Sequence, residues 1–373
     1  MGSGARQDEP LRWLSPASPS PRAVRPADDR TTAAAALAEA RRGAGLAYGG
    51  DYRNARQLLA AMGRRLEGGR PTRGSAAAPA GLLETFRAER RQRREAHLLL
   101  SRLAVPVVDG PRVDLAHAPE AAEALREALG PALALPGWLP LRDLLGMIGA
   151  HEWRVKGVAV PALGAHIHPR YGVFAPVRGE HVDLVAEAAR RWSPAGRRAL
   201  DVGTGSGVLA FVLARAGARV TATDLSSAAV ASTREDAARL RLSALVEPVE
   251  ADLFAEGRFD LVVCNPPWLP AEAITPLERA VYDPGSGFLG RLLDGLAAHL
   301  APGGEAWLVL SDLAERLGLR APGEVEARLA AAGLEVRDVL AARPVHPRSR
   351  DAGDPLHAAR AAEVTSLRRL VAI

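Results

Sequence analysis

Asn265-Pro266-Pro267-Trp268 is the stretch whose residue types come nearest to naming a reaction. A side-chain amide oxygen and a backbone carbonyl stand together on a loop that the prolines stiffen, because each proline fixes its own φ. An indole follows. Such a set can accept hydrogen bonds from a planar NH2 group and offer it a face to lie on. Taken alone, these residues describe only a turn at the end of a strand. Three further signals precede them. Asp201-Val-Gly203-Thr204-Gly205-Ser-Gly207 joins a carboxylate to a glycine run, Asp224-Leu225 closes Val-Thr-Ala-Thr-Asp-Leu, and Asp252-Leu253 closes Val-Glu-Ala-Asp-Leu. Each follows a short apolar run that reads as a buried strand.

In an open parallel sheet, ligands sit outside the carboxyl ends of the strands, where the strand order reverses. Successive strand tips carrying polar groups therefore describe one pocket. Gly203, Gly205 and Gly207 permit a tight turn and close approach of backbone to ligand, and the free amides of a helix starting at Val208 face that turn. The spacing G-x-G-x-G departs from the nicotinamide fingerprint. Asp201 just ahead of it suits a ligand with a cationic centre better than a pyrophosphate. Asp224 follows the turn by roughly 20 residues, the separation of an acid that binds both hydroxyls of a ribose. Asp252 and Leu253 would flank an adenine, one by hydrogen bonding and one by packing. A ribose, an adenine and a positive charge together specify S-adenosylmethionine.

The stretch from Ala199 to Trp268 resembles class I S-adenosylmethionine-dependent methyltransferases, and among them the small-domain enzymes with Asn-Pro-Pro-aromatic after the fourth strand. The resemblance runs from about residue 170 to residue 373. It implies an α/β fold with a Rossmann-like seven-stranded sheet, the last strand antiparallel and inserted beside the fifth. It implies S-adenosylmethionine as cofactor, held by Asp201, Gly203, Thr204, Gly205, Gly207, Asp224, Leu225, Asp252, Leu253 and Asn265. By the same resemblance Phe174 and Arg178 close over the methionine end. Asn265, Pro266, Pro267 and Trp268 are implied as the catalytic group. Asn265 and the Pro266 carbonyl would draw an NH2 nitrogen toward tetrahedral geometry, while Trp268 stacks on a flipped base or a planar amide. The motif is shared by enzymes that methylate exocyclic amines of nucleic-acid bases and by glutamine methyltransferases of peptide release factors. The expected substrate is a base, in RNA rather than DNA because no separate DNA-reading module is visible. The alternative is a glutamine amide of the release-factor type.

The elements that must position these groups follow from periodicity and punctuation. Residues 1–30, with Pro10, Pro16, Pro19, Pro21 and Pro26 among polar residues, predict a disordered leader. A mainly helical domain, with a possible role in substrate recognition, is expected over 31–150. Its helices fall at 32–42, capped by Thr31 or Thr32, and at 48–66, 82–103, 120–129 and 140–148. A short strand is expected near 105–108 and an exposed loop at 68–81. Arg87, Arg90, Arg91, Arg93 and Arg94 interleave with Glu84, Glu89 and Glu95. They read either as a phosphate-contacting face or as a solvated face of ion pairs. Residues 151–180 are expected as short strands and a connector, with Trp153, Val155, Val158 and Val160 alternating and Ile167 opening a second strand. His166 and His168 have a metal-like spacing but no third partner, so no metal is expected. The cofactor-binding domain is expected over 181–373, with 269–287 as a substrate-facing lid.

Composition sets the outer bounds. The chain has 373 residues, 48% hydrophobic and 24% charged, with a net charge of +5. Nearly all the positive charge is arginine, Lys156 being the only lysine. This modest excess favours an anionic partner. A single cysteine, Cys264, rules out an internal disulfide. With no signal-peptide core and no membrane-length apolar run, the expectation is a cytoplasmic protein free of membrane. The sequence carries no signal for oligomeric state.

Overall fold

The computed structural model describes residues 12–15, 17–68, 81–130, 135–176, 179–344 and 351–373. The chain divides into two compact units, one of residues 1–78 with 90–152 and one of residues 79–89 with 153–373. Among the described residues no helix is long and apolar enough to cross a membrane.

The first part of the chain runs β1 (Ala23–Ala27), α1 (Ala33–Arg41), β2 (Ala44–Tyr48), α2 (Tyr52–Gly68), α3 (Leu82–Leu100), β3 (Leu103–Val108), β4 (Arg112–Val113), α4 (Ala122–Leu129), β5 (Gly137–Pro140) and α5 (Leu141–Lys156), all in the first unit except residues 82–89 of α3 and 153–156 of α5. Helix α1 buries Ala33, Ala36, Leu37 and Ala40, one face at helical spacing. Thr32 Oγ1 accepts from the Ala35 amide at 3.2 Å, which is the expected cap. The unit is mainly helical, and it also holds a five-stranded sheet of which only β3 was legible. Strands β1, β2 and β3 are parallel, and β4 and β5 pair antiparallel with β3.

Two expectations are corrected here. The stretch read as a disordered leader contains β1, and Leu14 is buried while Trp13 bridges to Trp138. A proline is tolerated in β1 because that strand lies at the edge of the sheet. Residues 1–11 and Pro16 lie outside the described residues, as do residues 69–80 of the stretch expected as an exposed loop. The alternation from Trp153 is a strand only from Val158 onward. Helix α5 continues to Lys156, leaving Trp153 and Val155 exposed, and ends where Gly157 takes φ +78° and its amide donates to the Trp153 carbonyl at 2.8 Å.

The second unit continues with β6 (Val158–Val160) and β7 (Ala165–Ile167), an antiparallel pair. There follow α6 (Glu180–Trp192), β8 (Arg198–Val202), α7 (Val208–Arg215), β9 (Arg219–Asp224), α8 (Ser227–Arg239), β10 (Val246–Glu250) and β11 (Phe259–Cys264). Then come α9 (Gly287–His299), β12 (Leu300–Ser311), α10 (Leu313–Arg316), α11 (Glu324–Ala331), β13 (Leu334–Ala342), α12 (His357–Ala361) and β14 (Thr365–Ala372). Seven strands form one sheet in the order β10-β9-β8-β11-β12-β14-β13, all parallel except β14, which lies antiparallel between β12 and β13. The chain winds outward from β8 to β10, then returns to β11 on the other side of β8. That reversal opens a crevice at the strand tips.

Both faces of the sheet are covered. Leu261, Val263, Trp307 and Val309 belong to a core cluster shared with α6 and α7. Val262, Cys264, Ala306, Leu308 and Leu310 point the other way, into a cluster shared with α9 and α11. Successive side chains of a strand point to opposite faces, so strands buried on both faces read as continuous apolar runs.

Candidate active site

Four parallel strands, β8, β9, β10 and β11, bring their carboxyl ends to the same side of the sheet. Asp201 sits on β8, just before the glycine turn, and only 1% of its surface is exposed. Its Oδ2 accepts from Thr204 Oγ1 at 2.6 Å and from the Ala210 amide at 3.1 Å. Ala210 lies in the first turn of α7, where amides lack an intrahelical acceptor. The carboxylate therefore braces the turn from beneath instead of opening toward a cationic ligand, which corrects the sequence expectation. Burial pushes its pKa from 3.8 up to about 6, against the pull of Thr204 and Ala210. Gly207 takes φ +79°, and a Cβ there would come within 2.6 Å of the Phe211 ring and 2.7 Å of Thr233 Cγ2. Only glycine fits that corner.

Asp224 ends β9. Its Oδ2 accepts from the Gly205 amide at 2.9 Å and its Oδ1 from the Ser226 amide at 2.8 Å. A carboxylate has about four lone-pair sites, so acceptor capacity for two ribose hydroxyls is left. Leu225 beside it is 71% exposed, a bare apolar surface at the strand tip. A Cβ on Gly205 would meet nothing within 4 Å, so the backbone of the turn faces open space. Spare acceptors, an uncovered apolar side chain and an unfilled backbone approach fit a ribose-bearing nucleoside.

After β10, Asp252 is exposed and its Oδ2 accepts from Arg291 Nη1 at 2.7 Å. Leu253 differs from expectation. At φ +69° its side chain turns into the core cluster shared with α9, and its carbonyl accepts from Thr223 Oγ1 at 2.6 Å. It packs the floor of the crevice and presents no open face for an adenine.

The Asn-Pro-Pro-Trp loop leaves β11, whose register sets Cys264 opposite Val202. Asn265 thus emerges next to Gly203. Trp268 Nε1 donates to Asn265 Oδ1 at 3.0 Å, fixing the amide and leaving one lone pair of its oxygen available. Pro266 is buried and Pro267 half-buried. Trp268 is half-buried and packs against both core clusters. Its ring is therefore anchored beside Asn265. The following segment, 269–287, closes on itself. The Leu269 amide donates to the Val281 carbonyl, the Asp283 amide donates to the Leu269 carbonyl, and 3₁₀ turns occupy Pro276–Ala280 and Pro284–Ser286.

Four residues here escaped the sequence reading. Arg291 on α9 pairs with Asp252. Phe288 at the start of α9 stands over the glycine turn, its Cζ 3.5 Å from where a Gly203 Cβ would lie. Arg320, 6% exposed, directs Nη2 at the Trp268 carbonyl and at Ser286 Oγ, both at 3.4 Å. Asp283 caps α9 by accepting from the Phe288 amide at 2.9 Å and the Leu289 amide at 3.1 Å. The Asn-Pro-Pro-aromatic spacing carried no hint of any of them.

Phe174 is 36% exposed and follows a segment pinned to α8. The His168 amide donates to Asp236 Oδ2 at 2.7 Å, the Arg170 amide donates to Ser232 Oγ at 3.1 Å, and Arg154 and Arg170 both pair with Glu235. Helix α8 begins just after Asp224, so this segment is tied to the cofactor side of the sheet. Arg178 lies outside the described residues. His168 Nδ1 bonds the Arg154 carbonyl at 2.6 Å, a structural tie. Among the described residues no group of three or more potential ligands could hold a metal.

Comparison with known proteins matches residues 180–317 to the methyltransferase small domain. A release factor glutamine methyltransferase of Deinococcus radiodurans is 35% identical over 252 residues, which covers 61% of this chain and 83% of that protein. One of Bordetella pertussis is 37% identical over 174 residues, 41% of this chain and 64% of that protein. A ribosomal RNA small subunit methyltransferase C of Chromohalobacter salexigens is 38% identical over 118 residues, 31% of this chain and 32% of that protein.

Proposed function

Because the chain belongs to the small-domain family of S-adenosylmethionine-dependent methyltransferases, we propose that it methylates a planar primary amide, the side chain of a glutamine in a protein substrate. The observation that carries this reading is the Asn265–Trp268 pair, an amide oxygen held by an indole at the tip of β11 and beside the glycine turn. S-adenosylmethionine, when bound, supplies an electrophilic methyl group. The chain's own residues prepare the nitrogen. Asn265 Oδ1 and the Pro266 carbonyl accept from the substrate NH2, which takes its lone pair out of conjugation. Pro266 and Pro267 hold those acceptors still, so orientation is settled before reaction. The acceleration comes from placement and fixed dipoles, with no covalent adduct to the chain.

The relative of which this chain spans 83% carries the name release factor glutamine methyltransferase and supports the same reading. A second reading, methylation of an exocyclic base amine in RNA, draws support from the ribosomal RNA methyltransferase among the relatives and from the excess of arginine over acid in the first unit. The buried thiol of the lone Cys264 supports a reducing, cytoplasmic setting.

Asn265→Ala is expected to lower turnover by roughly two to three orders of magnitude, the loss typical of one preorganised polar group. Its affinity for S-adenosylmethionine, read by calorimetry, should stay close to that of the intact protein. Asp224→Ala should instead weaken cofactor binding by at least about tenfold, since hydrogen bonds to a charged group are worth roughly 1.5–3 kcal/mol. A fully active Asn265→Ala enzyme would overturn the assignment.

A further inference from the structure

We propose that a groove between α1 and α2 is a phosphate-binding surface for RNA. The groove has a volume of about 730 Å³. Its floor is Ala34, Leu37 and Ala61, and Arg41, Arg64 and Arg65 line it as well. Helical spacing accounts for the arrangement. Ala34, Leu37 and Arg41 recur along one face of α1, while Ala61, Arg64, Arg65 and Gly68 recur along one face of α2. The small side chains of Ala34, Ala61 and Gly68 leave the space unfilled, and the arginines add three guanidinium groups around it.

Those groups are unengaged. Among the described residues no ion pair involves Arg41, Arg64 or Arg65, whereas the neighbouring Arg42 is paired with Glu39 at 2.5 Å. Among the described residues no acid lines the groove; Glu67, in the last turn of α2, is exposed and is not part of the lining. A basic residue in the last turn of a helix also complements the helix dipole, but each helix end contributes only about half a negative charge. Three full positive charges around one space exceed that. The arginine fork matches phosphate oxygens two at a time. The wider charge distribution agrees: arginines outnumber acids in the first unit, and acids and bases are nearly balanced in the second. An acidic protein segment would also meet positive charge here. RNA is favoured because its backbone repeats its phosphates along a strand, which suits several guanidinium groups set along one groove.

The inference goes beyond the methylation reading and does not depend on which nitrogen accepts the methyl group. It is tested by fluorescence anisotropy with a labelled RNA hairpin and the intact 373-residue chain, titrated across salt concentrations. The variant Arg41→Gln/Arg64→Gln/Arg65→Gln should bind RNA about a hundredfold more weakly near 0.1 M salt. The slope of log affinity against log salt should fall by about one for each arginine that meets a phosphate. Circular dichroism and calorimetric S-adenosylmethionine binding check that the variant is folded, and a failure of the methylation reading alone would leave the RNA result unchanged. The proposal is overturned if the intact chain does not bind the hairpin, if the triple variant keeps its affinity and slope, or if polyglutamate displaces RNA at equal charge concentration.

Discussion

Asp201 and His181 are buried titratable groups whose protonation moves stability in opposite directions. Burial raises Asp201 from 3.8 to about 6, so the folded state holds its proton more tightly than the unfolded chain. Its stabilising effect is complete below about pH 4 and is lost as pH rises to about 6. Burial lowers His181, on α6, from 6.5 to about 4, against the raising influence of Glu180. Its effect is complete above about pH 6.5 and is lost as pH falls to about 4. Each shift corresponds to about 3 kcal/mol, which makes the contributions comparable and partly cancelling between pH 4 and 6. Urea unfolding across that window should show Asp201→Asn losing stability more steeply than the wild type as pH falls, and His181→Gln losing it less steeply. Parallel curves for the three proteins would refute the assignment. The acids and glycines of this site were legible because their spacing along the chain is itself the signal. Their partners were not. Arg291 lies 39 residues from Asp252, and no local pattern says which arginine will reach back. Nor does sequence tell whether a strand-tip carboxylate faces the crevice or, like Asp201, the turn beneath it.

At the scale of the element, the glycine turn separates backbone strain from crowding. Gly205 and Gly207 both take positive φ, but only Gly207 is enclosed, by Phe211 and Thr233, both fully buried. Gly205→Ala should cost about 1 kcal/mol of unfolding free energy, the strain of a left-handed residue alone. Gly207→Ala should cost about 3 kcal/mol, because overpacking is added to that strain. Chemical denaturation measures both. If Gly205→Ala loses cofactor affinity out of proportion to its small loss of stability, the ligand approaches that backbone closely. The seven-stranded sheet was readable from its central strands β8, β11 and β12, which are largely buried and appear as apolar runs ending in turn residues. The sheet of the first unit lacked that signature. Strand β2 is Ala-Gly-Leu-Ala-Tyr, without a β-branched residue, and β1 contains a proline that only an edge position tolerates. From Trp153 onward a short alternation imitated a strand inside a helix that stops only at Gly157.

For the whole molecule, the proposed reaction is tested by tritiated methyl transfer to a cell extract depleted of the endogenous enzyme. Under the glutamine reading, protease releases the label and nuclease leaves it; the opposite result would move the assignment to an RNA base. The arginine groove bears on the same choice from another side, since loss of labelling in the triple variant would mean that the anionic partner and the methyl acceptor travel together. The sheet order also has a consequence for how the molecule is built. Strand β13 has one neighbour in its sheet, β14, which follows it in sequence. Until β14 is made, β13 has nothing to pair with and the far flank of β12 stays bare. The cofactor crevice on the other half of the sheet is complete in sequence earlier, so this flank is the place where a newly made chain is most open to a wrong neighbour.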